Sequence, residues 1–283
     1  KTVHKVSTDV SDARLAAALP LLLFIPINID MNVGNYALMI TAASLAMAVA
    51  LNRRKDTLAS LLWTFAMIKP QLALLFAIPL LIKGKTKVCL IAGSICILAS
   101  IPPAILCHES PITLILQAPK ASAHAFTGCA LMPQELLLFL RNSLHLWEPV
   151  LWGLPMLAGL TFCIYITWWL RKSNDWILLL TPAVLTAVSW TYVQGHSYLL
   201  CAIVIIAMTV DMVRHPTHGN ILLCAAAILL MARMGRAFEI VVNAVLPALN
   251  SFAAIVRSWS STAAFVLVFI WLMSLPRSSN ANA

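Results

Sequence analysis

Lys69 and Pro70 stand side by side in the middle of Leu58–Ile82, LASLLWTFAMIKPQLALLFAIPLLI, a stretch of 25 residues that is otherwise largely apolar. A charged group at bilayer depth costs at least ~2.5 to 3.5 kcal/mol on insertion scales, so a lysine kept there is expected to serve a site. No Asp or Glu lies in the segment to pair with it. In a low-dielectric setting an ammonium is suited to holding an anion, as a compact point charge. Pro70 removes a backbone hydrogen bond inside a helix and clashes with the preceding turn, so a break is expected at this pair. A second polar interruption is Gln194-Gly195-His196 in SWTYVQGHSYLL, residues 189 to 200. His196 offers a titratable ring at this interruption, with Trp190, Tyr192 and Gln194 beside it. An interfacial histidine with no ligand and an aromatic belt are the plainer alternatives.

The elements that would position Lys69 are marked by charge. Arg53, Arg54 and Lys55 precede the segment, and Lys83, Lys85 and Lys87 follow it. Basic clusters stay on the cytoplasmic side, which puts both ends on one side. As a single helix the segment would reach ~37 Å, enough to cross a bilayer. Broken at Lys69-Pro70, each half would reach ~16 to 18 Å, about halfway, and return. Charge and proline together favour the broken form. The alternative is a kinked spanning helix whose Lys69 pairs with a carbonyl or carboxylate.

Of the 283 residues, 61% are hydrophobic and 10% charged, and the mean hydropathy is +0.90. This composition predicts an all-α, polytopic integral membrane protein: one membrane domain over 1–283, with roughly eight to ten transmembrane or re-entrant helices. The net charge of +9 sits in short clusters between apolar runs, as topology signals do, and no nucleic-acid partner is expected. The seven cysteines are scattered without a CxxC pair, and free buried thiols are expected. Walker, GxGxxG and HExxH signatures are absent, so no cofactor and no metal site is expected. The opening KTVHKVSTDVSDARL has neither an initiator methionine nor a signal-peptide pattern, as expected of a chain that begins partway through a longer protein.

Apolar runs fall at 15–29, 33–51, 58–82, 88–106, 149–170, 176–193, 199–213, 221–232 and 262–275. The run at 221 needs to continue through Arg233 and Arg236 to span. Residues 107–135, with His108, Glu109, Lys120 and His124, read as a long outer loop, and 136–146 as an interfacial helix. Trp168-Trp169 beside Arg171-Lys172 read as an interfacial anchor. With these assignments the clusters at 53–55, 83–87, 171–172, 214 and 277 share one side, and 107–135 and 194–198 lie on the other.

Gly34-Asn35 opening a run, the NRRK turn and the IKPQLALLFAIPLLIKGK core together resemble the membrane glycosyltransferases of family 87, relatives of the polyprenol-phosphate-mannose-dependent mannosyltransferases. The resemblance extends over about 15–215, with Asn35 in place of the usual glutamine and Val193 where some members carry an acid. It implies a GT-C-like fold in a multi-pass cell (inner or plasma) membrane protein. It also implies an inverting hexosyltransferase that moves a sugar such as mannose from a polyprenyl-phosphate donor to a lipid or glycan acceptor on the outer face. The substrate-binding residues implied are Lys69, Gln71, Trp190, Tyr192, Gln194, His196 and Asn35. Those enzymes carry their catalytic Asp in a first outer loop without counterpart in this chain, which resembles the C-terminal two thirds of the family. Asp9 and Asp12 precede the first run, and the catalytic base is unassigned. Two other classes share these features: a transporter or flippase of an anionic amphiphile, and a non-catalytic subunit that binds a lipid carrier. No inverted repeat partners the Lys69 break, which counts against the transporter.

Overall fold

The computed structural model describes residues 36–110, 113, 148–190, 199–231, 241–242, 244–246, 249 and 263–275. Regular structure there is helical, with no strand among the described residues, in agreement with the all-α expectation. In chain order the helices are α1 (Ala37–Asn52), α2 (Asp56–Ala66), the short α3 (Pro70–Ala73), a 3₁₀ turn (Leu74–Phe76), α4 (Ala77–Ile82) and α5 (Thr86–Cys107). After these come α6 (Glu148–Trp169), α7 (Trp176–Trp190), α8 (Ala202–Arg214), α9 (His218–Met231) and α10 (Ala263–Ser274). The expected run at 15–29, the expected outer loop at 107–135 apart from residues 107–110 and 113, the expected interfacial helix at 136–146, the turn at 194–198, and Arg233 and Arg236 lie outside the described residues.

Among the described residues, α5 is the one helix long and apolar enough by itself to cross a membrane, at 22 residues, with shorter apolar helices of 10–17 residues around it. The sequence expectation is eight to ten transmembrane or re-entrant helices; by length and composition together, α5 alone among the described residues meets the requirement of a full span. Pro102 and Pro103 lie inside α5, which continues to Cys107.

The axis of the bundle is α7. Every residue from Leu179 to Val188 is buried, as required of a helix that is apolar all round. It packs against α1, α6, α8 and all three pieces of Pro70–Ile82. At the edge, α5 packs on α2 and α4 and leaves Leu90, Ile97, Leu98, Ile105 and Leu106 exposed. Between α1 and α2 the contact is built from small residues, with Ala48, Ser44, Ala59 and Ser60 fully buried, which lets two backbones approach closely. The hydroxyls there cost little because each bonds a carbonyl four residues back: Ser44 to Ile40 (2.7 Å), Thr41 to Ala37 (2.9 Å) and Ser60 to Asp56 (2.9 Å).

Three helices end in the same left-handed cap. Arg54 (φ 56°), Gly84 (φ 69°) and His108 (φ 54°) each take the positive-φ position. The next residue's N–H then reaches back to the last turn: Lys55 to Ala50 (2.9 Å), Lys85 to Leu80 (2.8 Å) and Glu109 to Ala104 (3.0 Å). This pattern satisfies carbonyls that a helix end leaves orphaned. Glycine adopts the conformation without cost, whereas an L side chain is strained there.

Candidate functional site

The candidate site is the tip of a helical hairpin, and its geometry follows from how the two arms are tied. At the base, the Lys85 ammonium bonds the Asp56 carboxylate at 2.8 and 3.1 Å. Those residues bracket the segment, so the chain goes out along α2 and returns to its starting end. A single spanning helix would have separated them by ~40 Å. Halfway up, the buried Trp63 indole donates to the Ala73 carbonyl at 2.9 Å and joins the outgoing arm to the returning one. The base is also fastened to α6: the Lys83 ammonium donates to the Arg171 and Ser173 carbonyls at 2.9 and 3.0 Å, capping the chain just beyond the end of that helix.

Lys69 is at the turn. Its backbone has left the helical region (φ −116°, ψ 82°), and Pro70 is the first residue of α3. A residue before proline is pushed towards extended geometry. Proline in the first turn of a helix has no hydrogen bond to lose. The expected break is thus present, with a different cause from the one expected: Pro70 starts the returning arm and removes no bond from a helix interior. The Lys69 carbonyl accepts the Leu72 and Ala73 N–H groups at 2.9 and 3.3 Å, which holds the turn in place. The Lys69 side chain is half-buried. An 11-residue outgoing arm rises ~16 Å against ~33 Å for α5, so the tip sits about halfway along that neighbour.

Of the other residues expected at the site, Gln71 is the second residue of α3 and Trp190 the last of α7. Asn35, Tyr192, Gln194 and His196 lie outside the described residues. The flank of the tip comes from α7, whose far end leads into that last stretch.

The sequence reading did not single out Trp63, Asp56 and Lys83 as the residues that shape the tip. A signal was present for one pair: Asp56 is the acid nearest one end of the apolar segment, and Lys85 belongs to the basic cluster that closes the other. The Trp63–Ala73 bond spans ten residues and the Lys83 bonds span about ninety, separations at which spacing carries no information.

The end of the bundle that holds the base also gathers the other basic turns. The Asn52 carboxamide oxygen accepts the Trp176 N–H at 3.2 Å. Asp175 caps α7 by accepting the Ile177 N–H at 3.0 Å, and Arg214 lies 3.9 Å from its carboxylate. Close by in sequence, Asp211 receives the buried Trp271 indole N–H at 2.8 Å, the Asn220 amide at 3.3 Å and His215 Nδ1 at 2.9 Å, tying α8 to α9 and α10. The clusters at 53–55, 83–87, 171–172 and 214 therefore share one end, in line with the charge pattern, while the one at 277 lies outside the described residues.

No curated protein and no solved structure matches this sequence. A family profile does, over residues 2–189, a range that contains the whole hairpin and starts ahead of the resemblance noted from about residue 15. The profile is that of glycosyltransferase family 87 and it covers well over half of the sequence, so the chain belongs to that family.

Proposed function

We propose that the protein is a multi-pass membrane hexosyltransferase in which Lys69 holds the phosphate of a polyprenyl-phosphate sugar donor. The acceptor hydroxyl attacks the anomeric carbon from the side opposite the phosphate, with inversion. A carbon–oxygen bond forms to the acceptor, the bond from the anomeric carbon to the phosphate oxygen breaks, and its electron pair leaves on the polyprenyl phosphate. The acceptor proton passes to a base outside the residues assigned to the site. Negative charge builds on the leaving phosphate, and a fixed cation in a water-poor setting stabilises that build-up more than it stabilises the donor at rest.

The observation that carries this reading is the placement of Lys69 at the tip of a hairpin clasped at its base, halfway along α5. Family membership supplies the reaction type. Hexose identity, the outer-face acceptor, and contacts from Gln71, Asn35, Trp190, Tyr192, Gln194 and His196 belong to the same proposal, as does a bilayer around the chain. The basic end then faces the cytoplasm and the far end of α5, with His108 and Glu109, faces outward. The test is transfer of radiolabelled mannose from polyprenyl-phosphate mannose in membranes that carry the full-length protein. Wild-type transfer with loss in Lys69→Met supports the proposal. Vectorial movement of the donor without covalent change would replace it with the transporter reading.

A further inference from the structure

The basic end divides its charges in two. Lys83 and Lys85 are turned inward, onto the Arg171 and Ser173 carbonyls just past α6 and onto Asp56. The acids of this end are used internally as well: Asp56 by Lys85, Asp175 as the α7 cap and Asp211 by Trp271, Asn220 and His215. Arg53, Arg54, Lys55, Lys87, Arg171 and Lys172 are all exposed, and none has a carboxylate partner among the described residues. Six outward cations on one face repel one another and call for an anion from outside. Arg171 lies over the Trp168 ring at 4.1 Å, a pairing suited to a headgroup level where one side of the aromatic is apolar and the other wet.

Arg54 adds an independent observation. The turns after α1 and after α4 are built alike, with the same two cap bonds and a left-handed residue at the same place. One uses Gly84, the residue that fits this conformation without strain; the other uses Arg54, which is strained there. A strained side chain kept where glycine would serve the backbone better points to a use for the side chain.

From these observations we infer that this end of the bundle is an interaction surface for anionic phospholipid headgroups, with Arg54 among the residues that hold them. The inference rests on the membrane placement proposed above and adds the lipid class that the cytoplasmic end selects. A lipid leaflet fits better than a soluble anion because the cations form a rim around helix ends whose neighbouring faces, such as the exposed side of α5, are apolar.

The experiment offers the purified full-length protein in detergent equal amounts of phosphatidylglycerol and phosphatidylcholine and counts retained lipids by native mass spectrometry, with thermal unfolding measured alongside. Preferential retention of phosphatidylglycerol that fades with salt is expected. Arg54→Gly is expected to lower the preference about fivefold, one charge's share at an anionic surface, and at the same time to raise the unfolding temperature. Arg171→Gln/Lys172→Gln lowers the preference further, and if that variant fails to fold, Arg54→Gly alone decides. Equal retention of the two lipids by the wild type overturns the inference, as does an unchanged preference in Arg54→Gly. Displacement by millimolar inorganic phosphate, or tighter binding of a single-stranded oligonucleotide, would also overturn it. Resistance of the protein to alkaline carbonate extraction tests the membrane placement separately, and mannose transfer tests the enzyme reading. A carbonate-resistant, active protein without lipid preference would refute this inference alone.

Discussion

The Lys85 ammonium meets the Asp56 carboxylate at 2.8 Å across 29 residues of chain, and this contact converts an apolar segment long enough to span into a hairpin. The contact predicts that cysteines placed at 56 and 85, in a background with the seven native cysteines replaced, are joined by a bifunctional maleimide with a reach of about 10 Å. A spanning helix would hold them ~40 Å apart and out of reach. Because the pair is partly exposed, Lys85→Met should lower stability by ~1 kcal/mol or less.

Lys69→Met should leave the thermal unfolding temperature near that of the wild type or above it, since a half-buried charge is removed, while donor binding and transfer collapse. Lys69→Arg should keep part of the activity, because the charge survives although the wider guanidinium fits a lysine's place poorly. A Lys69 with a purely structural role predicts the reverse, a loss of ~3 to 5 kcal/mol with donor binding retained. Unfolding and donor binding measured on one preparation separate the two.

Trp63→Phe keeps a ring in the same buried place and removes the donor to Ala73. The expected cost is ~1 to 3 kcal/mol, since the carbonyl loses its partner in a buried setting. Transfer should fall by more than folded yield does, because this bond fixes the returning arm that carries the tip. Equal falls in both would reduce Trp63 to a packing residue.

Two glycines predict opposite signs. Gly84 has φ 69° with open space where a side chain would go, so Gly84→Ala costs only conformational strain, about 1 to 2 kcal/mol. Gly93 lies inside α5, also with open space, and Gly93→Ala should stabilise by up to ~1 kcal/mol. Thermal unfolding of the two variants checks the pair.

Asp211→Ala should cost ~3 kcal/mol or more, because it orphans the buried Trp271 indole N–H and frees Asn220 and His215 together. Asp211→Asn keeps one acceptor oxygen and should lie between. Limited proteolysis should show α10 released first, and release of α1 or α2 before α10 would count against Asp211 as its anchor.

Much of this architecture could be read from local features. Helix ends were marked by the turns at Arg53–Lys55, Lys83–Lys85 and Arg171–Lys172, because charges bound apolar runs. The break at Lys69-Pro70 was readable because proline restricts its neighbour. The cause assigned to it was wrong, since a proline in the first turn of a new helix looks the same in sequence as one that breaks an old helix. Arg54 in a left-handed cap was not readable, because nothing in NRRKD sets it apart from an ordinary turn. The Asp211–Trp271 bond spans 60 residues and the Lys83 bonds about ninety. Such contacts depend on how helices assemble, which no periodicity encodes. For the site itself, the position of Lys69 was legible, and Gln194 and His196 remain expectations from the sequence.

The packing of the hairpin against α7 also sets an order of assembly. The tip residues precede Trp176 by about a hundred positions, so at ~5 to 20 residues per second the ribosome delivers the helix that flanks the tip some 5 to 20 s later. During that interval the arms of the hairpin have α5 beside them, and the tip lacks the wall supplied by α7. Under the membrane placement proposed above, a hairpin tied by Asp56 and Lys85 at a single end can wait shallowly near the surface it entered from, with no loop carried across. It can then seat fully once α6 and α7 arrive and Lys83 finds the carbonyls of Arg171 and Ser173. In that placement the lysine is spared an early stay at depth before α7 arrives.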